Sequence, residues 1–145
     1  MADDQTVPDV PDLESLERRQ RPAKVMSPDE AGLIHDRAVS AGMAALDVKG
    51  EDIKILDMRD LASYTDYLVL CTGRNTRLTK RIAEEIGMKM KTEAGLLPAG
   101  TEGAASGEWI LLDYLDFVVH IFTPEAREFY RLDVLWKQAP LEVVE

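Results

Sequence analysis

Residues 107–122, which read GEWILLDYLDFVVHIF, decide the fold of this chain. Apolar and β-branched residues dominate the stretch, and a short acidic interruption at residues 113–116, Asp-Tyr-Leu-Asp, divides it into two runs of strand length. This pattern is typical of two antiparallel strands joined by a tight turn. We therefore predict a β-hairpin whose turn is centred on Tyr114 and Leu115.

The predicted hairpin has two unlike faces, because side chains alternate along a strand and opposed residues share a face. The implied cross-strand pairs are Asp113 with Asp116, Leu111 with Val118 and Trp109 with His120. One face is wholly apolar and needs a cover of helices; it carries Ile110, Leu112, Phe117, Val119 and Ile121. The other, here called the mixed face, combines an indole, aliphatic side chains and carboxylates, at Trp109, Leu111, Asp113, Asp116, Val118 and His120.

The mixed face is predicted to be left uncovered and to serve as a docking surface. Interface centres favour large aromatic side chains surrounded by a polar rim, whereas ionised carboxylates are rarely buried in a core without a partner. Trp109 would be the anchor, and Asp113 would pair with a cation on the partner. The alternative is that Trp109 packs beneath a loop and the carboxylates face water.

Composition narrows the classes of function. The 145 residues suit one domain, and the single cysteine, Cys71, leaves no internal disulfide to form. Two histidines, His35 and His120, are too few for a structural zinc site of the Cys/His kind. The formal net charge of −10 argues against direct nucleic-acid readout and favours a basic partner. No apolar run approaches the ~20 residues that span a bilayer, and the acidic N-terminus resembles no targeting signal, so we expect a cytoplasmic protein.

The ends of the chain differ from its middle. Residues 1–26 contain three prolines and runs of unlike charge without a sustained apolar period, which predicts a disordered N-terminal tail. Its basic cluster, Arg18-Arg19-Gln20-Arg21, is interpreted as solvated, with contact to RNA or to an acidic surface as the alternative. A folded domain over residues 27–139 follows, and residues 140–145 are predicted to be a C-terminal tail.

The domain is predicted to follow the order α-β-β-α-β-β-β-α. Ser27 and Pro28 begin the first helix, which runs to about Leu46. The next two segments are strands over residues 52–57 and 66–72, and the second is apolar on both faces, which places it centrally in the sheet. A helix that ends at Gly95, an edge strand within residues 96–101 and the hairpin come next.

Thr123 begins a last helix, which ends before Pro140. It is predicted to present an apolar stripe of Phe129, Leu132, Leu135 and Trp136. The predicted fold class is therefore an α/β domain, with a mixed five-stranded sheet packed against three helices.

The search for catalytic chemistry is mostly negative. The sequence contains no Walker loop, GxGxxG, GxSxG or HExxH motif. Four carboxylates lie at predicted strand ends: Asp57, Asp66, Asp113 and Asp116. Of these, Asp113 and Asp116 are the best candidates for holding a divalent cation, so the alternative function is a metal-dependent nucleotidyl or phosphoryl transferase. Because no nucleophile, base and orienting group assemble, we predict a protein that is not an enzyme and has no cofactor.

Separated positions along the chain resemble one known family. They are Leu56-Asp57, Thr65-Asp66-Tyr67, Cys71-Thr72-Gly73, Arg77, Glu102-Gly103, residues 109–114, residues 116–120, Phe129-Tyr130 and Leu135-Trp136. The chain resembles the ribosomal silencing factor family, also called Iojap-like, over about residues 34–140. Many positions agree in order, so this resemblance is more specific than a single short motif.

The resemblance implies a bacterial cytoplasmic factor that binds the large ribosomal subunit through its L-fourteen-type protein. Occupation of that surface hinders joining of the small subunit and represses translation when nutrients are scarce. It also implies a fold related to nucleotidyltransferases without their catalytic signature, and contacts to the partner from Trp109, Asp113, Tyr114 and Leu115. The family usually has a small residue, often glycine, at the position of Leu115, which indicates a different turn here. A homodimer formed through the mixed face is an open alternative.

Overall fold

The computed structural model describes residues 9–22 and 26–145. In chain order its elements are α1 (Leu13–Glu17), α2 (Pro28–Asp47), β1 (Glu51–Asp57), β2 (Tyr67–Thr72), α3 (Thr76–Ala94), β3 (Gly100–Glu102), β4 (Trp109–Asp113), β5 (Phe117–Phe122), α4 (Pro124–Tyr130), α5 (Leu132–Leu135) and β6 (Leu141–Val144). The predicted α/β class is confirmed, and the element count differs at both ends of the chain.

The described strands form one mixed sheet of six strands in the order β3-β4-β5-β2-β1-β6. β2 runs parallel to β5, and the other neighbouring pairs are antiparallel. All six residues of β2 are buried, which confirms the central position predicted from its two apolar faces. Residues 140–145 were predicted to be a C-terminal tail, but residues 141–144 form β6. This strand pairs with the outer side of β1 and buries Val144.

Helices α2 and α3 cover one face of the sheet. Ser27 and Glu30 form a capping box at the start of α2, and Gly95 ends α3 in the left-handed conformation at φ 65°. Between these helices and the sheet lies the main core, which includes Ile34, Ala38, Ala41, Ile82, Ile86, Met90, Ile110, Phe117, Val119 and Ile121. The apolar hairpin face is therefore covered by helices, as its composition predicted.

The single C-terminal helix of the prediction is broken. α4 ends at Tyr130, Arg131 adopts φ 53°, and the short helix α5 starts in a new direction. The predicted apolar stripe is accordingly split: Leu132 is buried, whereas Phe129 is 77% exposed. Arg127 holds the break in place, because its guanidinium binds Asp133 across it.

The N-terminal region also differs from its prediction. Residues 9–22, here called the arm, form α1 and an irregular extension instead of a disordered tail. Asp12 caps α1, and Leu16 is buried in an apolar cluster on the second face of the sheet. The predicted disorder of residues 1–8 and 23–25 lies outside the described residues.

Candidate functional site

The hairpin predicted at residues 107–122 forms as β4 and β5, but its register differs by two residues from the prediction. Asp113 lies opposite Val118, not Asp116, and the tip of the turn is formed by Leu115 and Asp116. A shift of one residue would exchange the two faces of a strand, whereas a shift of two restores them. The predicted pairing is therefore wrong, but the predicted division into an apolar and a mixed face is correct.

The turn is closed by three hydrogen bonds. The Asp116 amide donates to the Tyr114 carbonyl at 2.9 Å, as in a γ-turn, and the Tyr114 amide donates to the Phe117 carbonyl at 3.0 Å. The Asp113 carboxylate accepts the Leu115 amide at 2.9 Å. This geometry holds Leu115 at φ 71°, in the left-handed region, with its side chain 46% exposed.

Leu115→Gly is expected to stabilise the protein. A non-glycine residue in the left-handed region costs about 1–2 kcal/mol, and the greater flexibility of unfolded glycine offsets about half of the relief. The free energy of unfolding should therefore rise by about 0.5–1 kcal/mol, as measured by urea denaturation. Leu97→Gly is the control, because Leu97 is 70% exposed and has no positive φ. A Leu115→Gly protein less stable than wild type would contradict a strained turn.

The mixed face is covered, so the prediction of an open docking surface is wrong in this conformation. Trp109 retains 3% exposure. Its ring lies 4.4 Å from that of Tyr130 and 5.3 Å from that of Phe122. The covering side chains come from both ends of the chain: Val10, Leu13 and Leu16 from the arm, and Ala126, Tyr130, Leu132, Trp136 and Ala139 from the C-terminal region. Apolar residues that look isolated in the sequence thus complete a second core.

His120 accepts a hydrogen bond from the Trp109 side chain. The indole Nε1–H donates to His120 Nδ1 at 3.0 Å, and the imidazole is completely buried. Burial lowers the pKa of His120 to about 3, so the ring is neutral at physiological pH. Because Nδ1 accepts a hydrogen bond, the ring proton lies on Nε2. The imidazole is therefore a neutral, buried part of the core.

The arm pairs two arginines with the carboxylates of the mixed face. Arg19 donates to the Asp113 carboxylate at 2.5 Å and to the Tyr64 and Leu115 carbonyls at 2.7 and 3.2 Å. Arg21 donates to Asp116 at 3.1 Å and to Asp66 at 2.8 Å. These charge-assisted contacts are stronger than neutral hydrogen bonds.

The same contacts correct two sequence interpretations. The basic cluster at residues 18–21 is not uniformly solvated, because Arg19 and Arg21 face the sheet while Arg18 and Gln20 are exposed. Alternation within the cluster was the signal that could have identified them. Asp113 and Asp116, the candidate metal ligands, each bind an arginine. Within residues 9–22 and 26–145, no group of three or more His, Cys, Asp or Glu side chains is placed to hold a metal ion.

The six residues predicted to bind a partner therefore differ in accessibility. Leu115 and Asp116 present side chains to solvent at the turn. Trp109, Leu111 and Asp113 lie under the cover, at 3%, 1% and 9% exposure. Tyr114 belongs to the opposite face, where it stacks on Phe117 with ring centroids 4.9 Å apart.

Comparison with known proteins decides the family. The family model described as "Ribosomal silencing factor during starvation" matches residues 33–145. The chain belongs to the ribosomal silencing factor family. A ribosomal silencing factor of Chromobacterium violaceum is 41% identical over 90 residues, which are 62% of this chain and 73% of that protein. The Bacillus subtilis ribosomal silencing factor is 37% identical over 101 residues, which are 70% and 85% of the two chains.

Solved structures agree with the ribosomal silencing factor assignment. The crystal structure of protein CV0518 from Chromobacterium violaceum superimposes with a TM-score of 0.69 at 38% identity, covering 72% of this chain and 86% of that one. A Bacillus halodurans protein gives a TM-score of 0.63 at 30% identity, covering 77% and 97%. In the described part of the chain, no helix is long and apolar enough to cross a membrane.

The ribosomal silencing factor match begins after the arm. It includes the whole hairpin and the three carboxylates, Asp66, Asp113 and Asp116, but not the arginines that pair with them. The cover of the mixed face is thus partly built from residues outside the matched region.

Proposed function

We propose that this protein is a translational silencer that binds the large ribosomal subunit through its L-fourteen-type protein. Bound there, it sterically hinders joining of the small subunit and represses translation under nutrient limitation. Membership of the ribosomal silencing factor family over residues 33–145 is the observation that carries the proposal. Relatives in two bacterial species carry the same family name.

Electrostatics support a basic protein as the partner. The chain has a formal net charge of −10, which attracts a basic partner at long range. The three carboxylates at the hairpin already accept guanidinium groups from the chain itself, namely Asp66, Asp113 and Asp116. A partner rich in arginine and lysine would meet the same acceptors.

The roles of the proposed contact residues follow from their burial. Leu115 and Asp116 make first contact, because they are accessible at the turn. Asp113 becomes available to a cation when its own arginine leaves. Trp109 and Leu111 form the floor of the mixed face and hold the hairpin in shape, so Trp109→Ala would damage the core as well as any interface.

Sedimentation with separated ribosomal subunits tests the proposal. The protein should travel with the large subunit and not with the small one. Adding it to the large subunit before the small one should reduce the yield of joined particles. Failure to travel with the large subunit at micromolar concentration would rule out the proposed function.

Leu115→Gly should weaken binding while it stabilises the fold. Burying the exposed half of a leucine contributes about 1 kcal/mol, so affinity for the large subunit should fall about fivefold. Met88→Ala is the matched control, because it removes a side chain that is 64% exposed on α3, across the sheet from the mixed face. Unchanged affinity in Leu115→Gly would exclude the turn from the interface.

The transferase alternative gains no support from the site. The two carboxylates proposed as its metal ligands, Asp113 and Asp116, bind different arginines. The homodimer stays a prediction, which light scattering across a concentration series tests directly.

A further inference from the structure

The arm lies on the surface that the proposed function assigns to the partner. Its path is fixed by hydrogen bonds to the end of β3 and to the loop that follows it. The Asp12 amide donates to the Glu102 carboxylate at 2.7 Å, and the Ser106 amide donates to the Asp9 carboxylate at 2.7 Å. From there α1 places Leu16 in the apolar cluster beside Trp109. The irregular residues after α1 include Arg19 and Arg21, whose side chains contact the turn at Leu115 and Asp116.

The arginine contacts have the chemistry expected of a basic partner. Arg19 reaches both the Asp113 carboxylate and the Leu115 carbonyl, which lies at the tip of the turn. Arg21 bridges Asp66 and Asp116, which come from different strand ends. Each carboxylate of the site is therefore occupied by a cation that belongs to the chain.

The arm is built to open more easily than the rest of the domain. α1 has five residues, which is too short to be stable without its packing. In the arm, Pro11 and Leu16 are the buried apolar residues, while Val10 and Leu13 are partly buried. Arg19 Nε and Glu17 Oε2 are buried in the described structure without a hydrogen-bond partner. Segments with little buried apolar area and unsatisfied polar groups open locally before the core does.

We propose that the arm is an intramolecular competitor of the ribosomal partner. It occupies the mixed face in the free protein and is displaced when a basic segment of the partner takes over the carboxylates. This inference rests on the proposed function and adds a regulatory step to it. Release of the arm uncovers the carboxylates of Asp66, Asp113 and Asp116, while Tyr130 and its C-terminal neighbours still pack against Trp109.

Competition reduces the apparent affinity by the fraction of molecules that are open. If the arm is released in about one molecule in ten, the apparent Kd lies about tenfold above that of the open protein. A variant that cannot dock its arm should therefore bind about tenfold more tightly. A purely structural arm predicts the opposite, because its loss would disturb the mixed face and weaken binding.

The test uses full-length variants. Arg19→Gln combined with Arg21→Gln removes the ion pairs, and Leu16→Gln releases the arm without changing the net charge. The control combines Arg18→Gln with Arg131→Gln, which removes the same charge from side chains that are 71% and 61% exposed. An effect of net charge alone would appear equally in the two arginine pairs and not in Leu16→Gln.

Two readouts separate the possible failures. Hydrogen exchange of the arm amides, such as those of Leu16 and Arg18, reports docking in the free protein. Binding to the purified L-fourteen-type protein and to large subunits reports competition. We expect faster arm exchange and about tenfold tighter binding in both releasing variants, with the control like wild type.

Three results would overturn the inference. Wild-type arm amides that exchange like those of an unstructured peptide would show that no docked arm exists. Released arms with unchanged or weaker binding would show that the arm does not compete, and the proposed function would survive this result. Absence of binding in wild type and in every variant would remove the proposed function, and the inference with it.

Discussion

Replacing Arg127 with methionine should lower the free energy of unfolding by about 3–5 kcal/mol. Arg127 is 8% exposed and connects α4 to three other elements. Its Nε and Nη2 donate to the Asp133 carboxylate at 3.0 and 2.9 Å. Its Nη1 donates to the Asp52 carbonyl at 2.7 Å and to Thr72 Oγ1 at 2.9 Å. Without Arg127, the Asp133 carboxylate loses two charge-assisted hydrogen bonds in a poorly solvated site and keeps its contact to Lys54 at 3.2 Å.

The pH dependence of Asp133 provides a second readout of the same substitution. Burial raises the pKa of the Asp133 carboxyl, but hydrogen bonds and positive charge from Arg127 and Lys54 outweigh it and lower the pKa to about 2. A lowered carboxyl pKa stabilises the fold above about pH 4, and this contribution is lost as the pH falls toward 2. In Arg127→Met, the loss of stability across this window should be smaller than in wild type.

Urea denaturation at neutral pH measures the effect of Arg127→Met. Arg131→Met is the control, since the Arg131 side chain is 61% exposed and binds the neighbouring Glu128. Adding Asp133→Asn to Arg127→Met should recover part of the lost stability, because it removes a half-buried charge that Lys54 then compensates less well than Arg127 did. A loss below about 1 kcal/mol in Arg127→Met would show that this network contributes no more than a surface pair.

Local sequence signals predicted the elements that depend on local chemistry. The run Tyr67–Thr72 carries apolar side chains on both of its faces, and it forms a central strand of the sheet. Gly95 supplies the left-handed residue that ends α3, and Ser27 with Glu30 starts α2. In each of these cases, the residue type that the local structure requires is present in the sequence.

The missed features depend on a backbone conformation that the residue type disfavours, or on contacts that form only in the folded chain. The hairpin register requires Leu115 at φ 71°, a conformation that leucine disfavours, so no propensity indicated it. Leu16 lies among charged residues, and its burial depends on a cluster that includes Trp109. β6 has four residues and forms because β1 offers an unpaired edge. The break at Arg131 is stabilised by the hydrogen bonds between Arg127 and Asp133.

The sequence predicted which side chains form the mixed face but not what covers them. The identity of the mixed face followed from side-chain alternation, which a register shift of two residues leaves unchanged. Whether that face is covered depends on the arm, whose Val10, Leu13 and Leu16 recur every three residues over a run too short to predict a stable helix. The sequence therefore indicated which surface is special, and the tertiary structure assigned what lies on it.

Lowering the pH from 7 to 5 should cost the wild-type protein about 2 kcal/mol through His120 alone. Burial lowers the pKa of this imidazole from its usual value to about 3. Above about pH 7 the ring is neutral in both the folded and the unfolded chain, so it has no effect on stability. Between about pH 6.5 and pH 3 the unfolded chain binds a proton that the folded chain excludes, and stability falls by about 1.4 kcal/mol per unit.

His120→Gln should flatten this pH dependence. Glutamine cannot bind the proton, and its side-chain oxygen can accept the indole N–H of Trp109 in place of Nδ1. The variant should be less stable than wild type at pH 7, because glutamine does not fill the space of the buried imidazole. Between pH 7 and pH 5, however, it should lose about 2 kcal/mol less of its free energy of unfolding than wild type. Urea denaturation at both pH values gives this difference, and His35→Gln, which retains the buried imidazole, is the matched control. Equal pH dependence in His120→Gln and wild type would mean that the imidazole can take up a proton inside the fold, and therefore that the mixed face admits water where the indole and imidazole meet.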